Sequence, residues 1–375
     1  MEESGPDPLR VLLVTPDYPP DTGGIQRLLH QITTHMPSAE TRVVTMAADG
    51  ATAFDAASEQ RIHRLRSVST RSVVRNAVFN AQLLPWRSRW KPDVLLNGHV
   101  VTSPAALLLA RRLGVPNVLY TYAKELDGRP RLSAWAARRS DAVIAISEFT
   151  AAKVREVAPG LSTPVRIVTP GVEAPHHVVH VETERPTVVT IARLRDWYKG
   201  HDVLLDALTR VRADVPDVLW AVIGDGRLRT DLEDRVERSG LTDNVVFLGR
   251  ATDEERDRWL ARASVFAMPS RYPEGEVGGE GFGIVYLEAA VWGVPSLAGN
   301  VGAPTEVVED GVTGRLVDPV DPAAVADALV QMLSEPEKTR AWGRAAQLRA
   351  REDYSWERVG SHLRSELAAV VAGGR

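Results

Sequence analysis

The chain has 375 residues, of which 44% are hydrophobic and 25% are charged, and its formal net charge is -4. This length suits two domains, the composition is ordinary for a soluble globular protein, and the charge gives no general attraction to nucleic acid. The absence of cysteine excludes disulfides, thiolate metal ligands and cysteine nucleophiles.

The first residues, MEESGPDPLR, are acidic and polar, which is not the pattern of a signal peptide. No apolar stretch approaches the roughly 18 residues that a membrane-spanning helix needs. We therefore expect a cytoplasmic protein, with a peripheral contact at the inner face of the membrane left open.

The N-terminal half alternates between predicted strands and helices. Residues 10–16, RVLLVTP, predict a buried parallel strand, and Gly23 and Gly24 then open a helix with apolar residues at helical spacing. Strand, glycine-rich loop and helix form the first unit of a doubly wound sheet. Further strands are predicted at residues 41–47, 93–99, 117–122 and 141–147.

The C-terminal half repeats this alternation after a polar stretch at residues 174–187, which predicts a linker. Strands are predicted at residues 187–194, 218–226, 244–250, 265–270, 294–300 and 314–319, and an amphipathic helix at residues 354–371. The predicted class is α/β, with two Rossmann-like parallel-sheet domains facing a central cleft. The first domain is expected over residues 1–173 and the second over residues 188–355.

The nonapeptide EGFGIVYLE places two carboxylates, Glu280 and Glu288, eight positions apart. Gly281 and Gly283 leave backbone N–H groups open where the helix begins, a site suited to a phosphate or a sugar hydroxyl. Glu288 then lies about one and a half turns along the helix. The two carboxylates are suited to two hydroxyl-bearing parts of one extended ligand; the alternative is a solvated helix face.

The residues around this motif carry a family resemblance. AMPS (267–270) precedes it, and GVPSLAGNVGAPTEVVEDGVTG (293–314) follows it. This order resembles the C-terminal half of retaining glycosyltransferases of family 4, which have the GT-B fold. The resemblance covers nearly the whole chain and is more specific in the C-terminal half. It implies an N-terminal acceptor-binding domain completed by a last helix, residues 356–375, and a C-terminal domain that binds a nucleotide-sugar.

The resemblance also assigns candidate roles to residues. Arg193 and Lys199, in the loop after a predicted strand, match the pair that contacts the donor diphosphate, where two cations would stabilise the leaving group. Glu280 would bind donor-sugar hydroxyls and complete the catalytic set, and Glu288 would bind the ribose. The other predicted donor contacts are Gly23, Gly24, Gly224, Arg250, Phe282, Gly283, Ile284 and Val285. For the basic pair the alternative is a solvated loop, and for the glycines it is ordinary tight turns.

The expected mechanism is same-face attack, in which the acceptor hydroxyl enters as the diphosphate leaves and a phosphate oxygen takes the proton. The protein then mainly supplies positioning and charge stabilisation. No Asp-x-Asp pair occurs where a diphosphate-bridging metal would be expected, and Arg193 and Lys199 can replace that cation. We predict metal independence and no cofactor besides the nucleotide-sugar co-substrate.

One segment departs from the family pattern. Where many members carry His-Gly, this chain reads LYTYAKELDGR, so that Tyr122 and Ala123 replace the pair. A longer hydroxyl donor at this position suggests a donor altered near C6, such as a 6-deoxy sugar, a pentose or a uronic acid; the alternative is impaired activity. His99 and Lys124 are further candidate donor or acceptor contacts, although a structural role for His99 is the other possibility.

Residues 61–91 contain eight Arg or Lys and no Asp or Glu, with Phe79, Trp86 and Trp90 interleaved. With Arg87 and Arg89, the two tryptophans suit an anionic membrane or a phosphorylated acceptor. The alternative is an ordinary basic face whose tryptophans lie in the core. A nucleic-acid partner is not expected.

Three functions compete. The first is a retaining glycosyltransferase acting on a small-molecule, glycan or lipid-linked acceptor. The second is another enzyme on the same fold, such as a nucleotide-sugar epimerase, and the third is a non-catalytic nucleotide-sugar-binding protein. The intact Arg, Lys and paired Glu pattern favours transfer.

Overall fold

Parallel strands are the frame of the computed structural model, which describes residues 7–67, 72–175, 177–178, 181, 183–272 and 279–374. The strands of the first sheet are β1 (Leu9–Val14), β2 (Ala39–Met46), β3 (Arg61–Leu65), β4 (Val94–Asn97), β5 (Asn117–Thr121), β6 (Ala142–Ala145) and β7 (Val165–Ile167). Those of the second are β8 (Thr187–Ile191), β9 (Leu219–Ile223), β10 (Val245–Gly249), β11 (Val265–Met268), β12 (Ser296–Gly299) and β13 (Gly314–Val317).

The helices follow the strands in alternation. In the first half they are α1 (Gly24–Thr34), α2 (Ala51–Ala57), α3 (Ser72–Leu83), α4 (Ser103–Leu113), α5 (Ala123–Gly128), α6 (Pro130–Ala137) and α7 (Glu148–Val157). In the second they are α8 (His201–Asp214), α9 (Arg229–Arg238), α10 (Asp253–Leu260), α11 (Ile284–Val291), α12 (Pro304–Val307), α13 (Pro322–Ser334), α14 (Pro336–Asp353) and α15 (Trp356–Gly373). Single 3-10 turns lie at Val100–Thr102 and Trp197–Lys199.

Both sheets have the strand order of a doubly wound fold. The first runs β3-β2-β1-β4-β5-β6-β7 and the second β10-β9-β8-β11-β12-β13. Every pairing between neighbouring strands of the described residues is parallel. The order reverses between β1 and β4 and between β8 and β11, which are the points where such sheets bind ligands. The predicted class, α/β with two Rossmann-like parallel sheets, is therefore confirmed.

Two strands lie outside the sequence prediction, and both are sheet edges. β3 reads RIHRL, in which three of the five residues are basic, and β7 is the short segment VRI. An edge strand is exposed along one side and is often charged, so it lacks the continuous apolar run that marks the buried central strands.

The chain forms two compact units, Met1–Gly171 with Trp356–Arg375, and Val172–Ser355. The described part of the polar stretch 174–187 belongs to the second unit: Val181 donates to the Ala261 carbonyl, and Arg185 donates to carbonyls of that unit, including that of Asp217. In the first unit α15 packs on α1. None of the helices in the described part of the chain combines the length and apolar character that crossing a bilayer demands.

Candidate active site

In the second unit the predicted catalytic residues follow the two strands at the reversal of strand order. Arg193 and Lys199 come after β8, and Glu280 comes after β11, its neighbour in the sheet. The Tyr198 carbonyl accepts a hydrogen bond from the Arg271 backbone N–H at 2.8 Å, which ties the 3-10 turn to the segment after β11. The loops that carry the three residues are thereby held side by side.

Lys199 and Glu280, which are 81 residues apart in the chain, form an ion pair in which the Lys199 ammonium donates to the Glu280 carboxylate. Their side chains are only 14% and 17% exposed. The Lys199 ammonium also lies 5.2 Å from the ring centre of Tyr198. The pair is a fixed, mostly desolvated arrangement of charges, unlike a pair of freely moving surface side chains.

The charges around Lys199 keep its ammonium protonated. Burial alone would lower the pKa of Lys199, but the charge and hydrogen bond of Glu280, together with Tyr198, outweigh burial, and the net pKa lies above the ordinary value. Arg193 acts in the opposite direction on Lys199, so the two cations are within electrostatic range of each other. Because Arg193 is exposed, its guanidinium is accessible to an anionic ligand.

The start of helix α11 lies beside this pair. Gly283 has a φ of 96°, and a Cβ there would lie 2.4 Å from the Tyr286 ring and 3.4 Å from Glu280 Cγ, so only glycine fits. Ile284 and Val285 follow as the first helical residues, whose N–H groups have no acceptor within the helix. The Phe282 side chain is buried and packs on Tyr354, with ring centres 5.9 Å apart, so it supports the loop from within.

Glu288 is held by a residue that the sequence analysis does not predict. Arg256 of α10 lies 3.5 Å from the Glu288 carboxylate and also pairs with Asp253 and Asp257. Its side chain is 17% exposed, and that of Glu288 is 14% exposed. In sequence, DEERDR is typical of a solvated helix with local ion pairs, and no signal there links Arg256 to a residue of the motif.

Gly224 and Arg250 follow β9 and β10. Gly224 has a φ of 145°, and a Cβ there would lie 1.9 Å from the Ala192 carbonyl oxygen. Its N–H donates to the Gly249 carbonyl at 2.8 Å. The glycine thus allows the loops after β8, β9 and β10 to meet, which is the structural role weighed in the sequence analysis. Arg250 is exposed beyond them.

In the first unit, Gly23 and Gly24 open α1 at the carboxyl end of β1, next to the other reversal of strand order. Both are exposed, and a Cβ at Gly24 would have no atom within 4 Å. A Cβ at Gly23 would meet only the movable end of the Gln26 side chain, 2.4 Å away. The first turn of α1 is therefore open to a ligand.

His99 and Tyr122 follow β4 and β5, with ring centres 6.4 Å apart. His99 Nδ1 accepts the Val101 N–H at 3.2 Å, which places the ring proton on Nε2. Burial lowers the pKa of His99, favouring the neutral ring. The buried Tyr122 hydroxyl donates to the Gly98 carbonyl at 3.0 Å, and burial raises its pKa. Lys124 is exposed.

Glu125 is a buried carboxyl group that the sequence analysis does not predict. Burial raises its pKa to about 8, although the hydrogen bond that it accepts from the Tyr122 N–H favours the charged form. In the second unit, His201 is likewise buried, and its pKa falls to about 4, first through burial and then through the Lys199 charge. Nothing in the local sequence distinguishes either residue from an exposed one.

The basic stretch 61–91 is described except for residues 68–71. Trp86 and Trp90 are half-buried and pack against the core of the first unit, and the Trp90 indole N–H donates to Glu40 at 2.9 Å. Arg87 and Arg89 are exposed. A membrane contact of this stretch would accordingly depend on its arginines more than on its tryptophans.

Comparison with known proteins gives two family matches: "Glycosyltransferase Family 4" over residues 22–176 and "Glycosyl transferases group 1" over residues 174–349. A GDP-mannose-dependent alpha-(1-6)-phosphatidylinositol monomannoside mannosyltransferase of Mycolicibacterium smegmatis is 31% identical over 97% of this chain and 99% of its own. The chain belongs to glycosyltransferase family 4.

A Mycobacterium tuberculosis protein of the same name is 30% identical to this glycosyltransferase, covering 94% of this chain and 97% of the relative. The crystal structure of Anabaena HepE with UDP and glucose superposes with a TM-score of 0.77 at 19% identity, covering 96% of this chain and all of the other. At that identity the likeness shows the GT-B fold, which was expected from the resemblance and is confirmed, as is the enzyme class.

The second unit of this glycosyltransferase holds two cations and a helix start with open N–H groups, which are groups that can bind a diphosphate. It also holds two carboxylates, which are groups that can accept hydrogen bonds from hydroxyls. In the described part of the chain, no three His, Asp or Glu side chains are grouped so that they could hold a metal. Metal independence stays a prediction for experiment, as do the individual residue roles.

Proposed function

We propose that this glycosyltransferase transfers mannose from GDP-mannose to a phosphatidylinositol-based lipid acceptor, with retention of configuration and without a metal. The observation that carries the choice of substrates is the end-to-end similarity to mannosyltransferases whose names state that donor and that acceptor. The geometry of the second unit supports the chemistry.

In the proposed reaction the bond from mannose to the diphosphate breaks as the acceptor hydroxyl attacks from the same face. Lys199 and Arg193 stabilise the negative charge that gathers on the departing diphosphate, together with the first N–H groups of α11. The acceptor proton passes to a phosphate oxygen. Glu280, tied to Lys199, is assigned to holding the cation and accepting sugar hydroxyls; Glu288, tied to Arg256, is assigned to the ribose.

The environment of Tyr122 bears on the choice of sugar. Its hydroxyl already donates to the Gly98 carbonyl, whereas His99 keeps the proton on Nε2. His99 is therefore the better candidate in this chain for a sugar-hydroxyl contact. An unmodified hexose such as mannose fits that assignment, and the C6-altered donor becomes the alternative that a donor screen decides.

A lipid acceptor requires contact with a membrane surface. We assign this contact to the exposed arginines Arg87 and Arg89, as a peripheral association with anionic lipid at the inner face of the membrane. Arg87→Glu and Arg89→Glu together should reduce sedimentation with vesicles that contain phosphatidylinositol. Equal sedimentation of variant and wild type would remove this assignment.

The deciding experiment measures the release of free nucleotide in the presence of EDTA. The donors compared with GDP-mannose are a UDP-hexose, a nucleotide-sugar altered at C6 and a nucleotide-pentose. Release from GDP-mannose that requires a phosphatidylinositol monomannoside acceptor supports the proposal. Turnover of the donor without acceptor would favour an epimerase or hydrolase. Binding of the donor without turnover would favour a non-catalytic protein. Activity only with C6-altered donors would overturn the choice of mannose.

A further inference from the structure

A cavity of about 450 Å³ lies in the first unit, between the edge strand β3, its neighbour β2 and the segment that follows α3. Its lining includes Arg42, Arg61, His63, Trp86 and Arg87. The volume lies within the roughly 300–1,000 Å³ typical of small-molecule sites. Arg112 donates to the carbonyls of Leu84 and Trp86 and so fixes the segment that forms one wall.

The lining has one sign of charge. Three arginines and a histidine contribute to it, and none of the described lining residues is acidic. Arg42 is neutralised by Glu40 at 2.8 Å and lies over the Trp90 ring, 4.4 Å from its centre. Arg61 and Arg87 are exposed at the cavity. An arginine fork is matched to phosphate oxygens, which it binds with two parallel hydrogen bonds.

The rest of the lining is less polar. Trp86 and His63 lie with ring centres 6.5 Å apart, and Leu65 and Pro85 complete this side. An aromatic and apolar wall beside guanidinium groups suits a ligand with a carbon ring or chain next to its anionic group. The cavity also has the volume of many water molecules, each of which occupies about 30 Å³, so it has room for more than a single phosphate group.

The cavity is separate from the first-unit residues of the candidate active site. Arg42 and Arg61 are register partners at the middle of β2 and the beginning of β3, four residues before the carboxyl end of β3 at Leu65. His99 follows β4, which is three strands from β3 and two from β2. At about 4.8 Å per strand this is roughly 10–14 Å.

We propose that this cavity is a second binding site, for a phosphate ester carried on a sugar or polyol, either as a lipid head group or as a free small molecule. The site is distinct from the transfer reaction proposed above and does not depend on it. Occupation would hold the first unit to a phosphate-bearing partner while the residues after β1 and β4 remain free.

The test is calorimetric titration of the full chain with inositol 1-phosphate, in the absence of any nucleotide-sugar. Arg61→Glu should weaken binding at least about tenfold, because a hydrogen bond to a charged group contributes roughly 1.5–3 kcal/mol. Arg87→Glu, on the exposed segment, is the second variant and should also weaken binding of inositol 1-phosphate. Arg66→Glu is the matched control, since it makes the same charge change at an exposed arginine directly after β3, outside the lining.

Titration with vesicles distinguishes the two sources. If Arg61→Glu also abolishes the difference in binding between phosphatidylinositol vesicles and phosphatidylcholine vesicles, the ligand is a lipid head group; if only the soluble titration changes, it is a free molecule. The proposal is overturned if inositol 1-phosphate does not bind, or if Arg66→Glu weakens its binding as much as Arg61→Glu does. Melting temperatures of all variants verify folding.

Discussion

At the scale of single residues, the Lys199–Glu280 ion pair is the main charged feature of the candidate active site in the second unit. The two are mostly buried and paired, and the Glu280 carboxylate keeps Lys199 charged in a position where an isolated charge would be costly. The Arg193 guanidinium adds a second cation at the exposed side. A ligand that brings negative charge would meet groups already oriented, which is the condition for electrostatic stabilisation of a leaving group.

We expect Lys199→Ala to lower kcat/KM for transfer by about 10²–10³, the usual effect of removing one preorganised stabilising group. The decrease should appear mainly in kcat, because charge on the diphosphate grows as the bond breaks. Initial rates of nucleotide release over a range of donor concentrations measure both constants.

The control is the double variant Lys199→Ala with Glu280→Gln. Because the two residues form one unit, the combined loss should be much smaller than the product of the single losses. A fully multiplicative result would mean that the ion pair in the structure has no part in catalysis.

Glu125 predicts an unusual response to pH. Its pKa is about 8 in the folded protein and near 4.5 in the unfolded chain, so the folded state binds the extra proton. Its stabilising contribution is complete below pH 4.5 and is lost as pH rises through 8. We expect the free energy of unfolding of the first unit to fall by a few kcal/mol between pH 5 and 9.

Glu125→Gln should flatten this dependence, since the amide does not titrate and can still accept the Tyr122 N–H. Urea unfolding at pH 5, 7 and 9 gives the measurement. Identical pH profiles for variant and wild type would show that the carboxyl group titrates normally.

At the scale of elements, the glycines at the starts of α1 and α11 differ in whether the fold requires them. At Gly283 the positive φ and the Tyr286 ring exclude any side chain, whereas the space around Gly24 is open. The first glycine is required by the fold. The second is compatible with alanine, so its effect on activity reports on a ligand.

We expect Gly283→Ala to destabilise the second unit by about 1–3 kcal/mol through backbone strain and the displaced Tyr286. Gly24→Ala should leave stability unchanged or slightly higher, since alanine is the better helix former. Calorimetric melting tests both, and the KM for the donor tests whether Gly24 contacts it. Equal melting temperatures for the two variants would contradict this distinction.

Sequence patterns predict the strands and helices whose own residues are sufficient to determine their structure. The central strands are apolar runs buried on both faces, so β1 and β4 to β6 follow from periodicity alone. β3 and β7 depend on their sheet neighbours and were missed. In the site, the family motif points to Lys199 and Glu280, but the ion pair between them and the Arg256 contact to Glu288 are products of tertiary structure.

At the scale of the whole molecule, the first unit is built from two separate parts of the chain. α15 packs on α1 so closely that a Cβ at Gly360 would lie 2.2 Å from the His35 carbonyl oxygen. Trp356, at the beginning of α15, fills the space beside Gly171, where a Cβ would meet its ring at 2.6 Å. The helix is therefore an integral part of the first unit.

We expect Gly360→Leu to force α15 away from α1 and to destabilise the first unit by about 1–3 kcal/mol, the usual cost of overpacking. A loss of 1 kcal/mol corresponds to a decrease of roughly 2–4 °C in Tm for a unit of this size. Limited proteolysis during heating should cut within residues 1–171 at lower temperature than in wild type. If cleavage instead begins at lower temperature within residues 172–355, the substitution destabilises the second unit and the prediction is wrong.

The division of the chain also sets an order for biosynthesis. Residues 172–355 are translated between the main part of the first unit and α15, the helix that covers α1. At about 5–20 residues per second, the ribosome needs on the order of ten to forty seconds to make this insertion. During that time the nascent chain carries the face of α1 that α15 will cover, and when α15 is made the second unit already has all its parts. The half of the protein begun first is thus the half finished last, and its α1 face is where a chaperone would be needed.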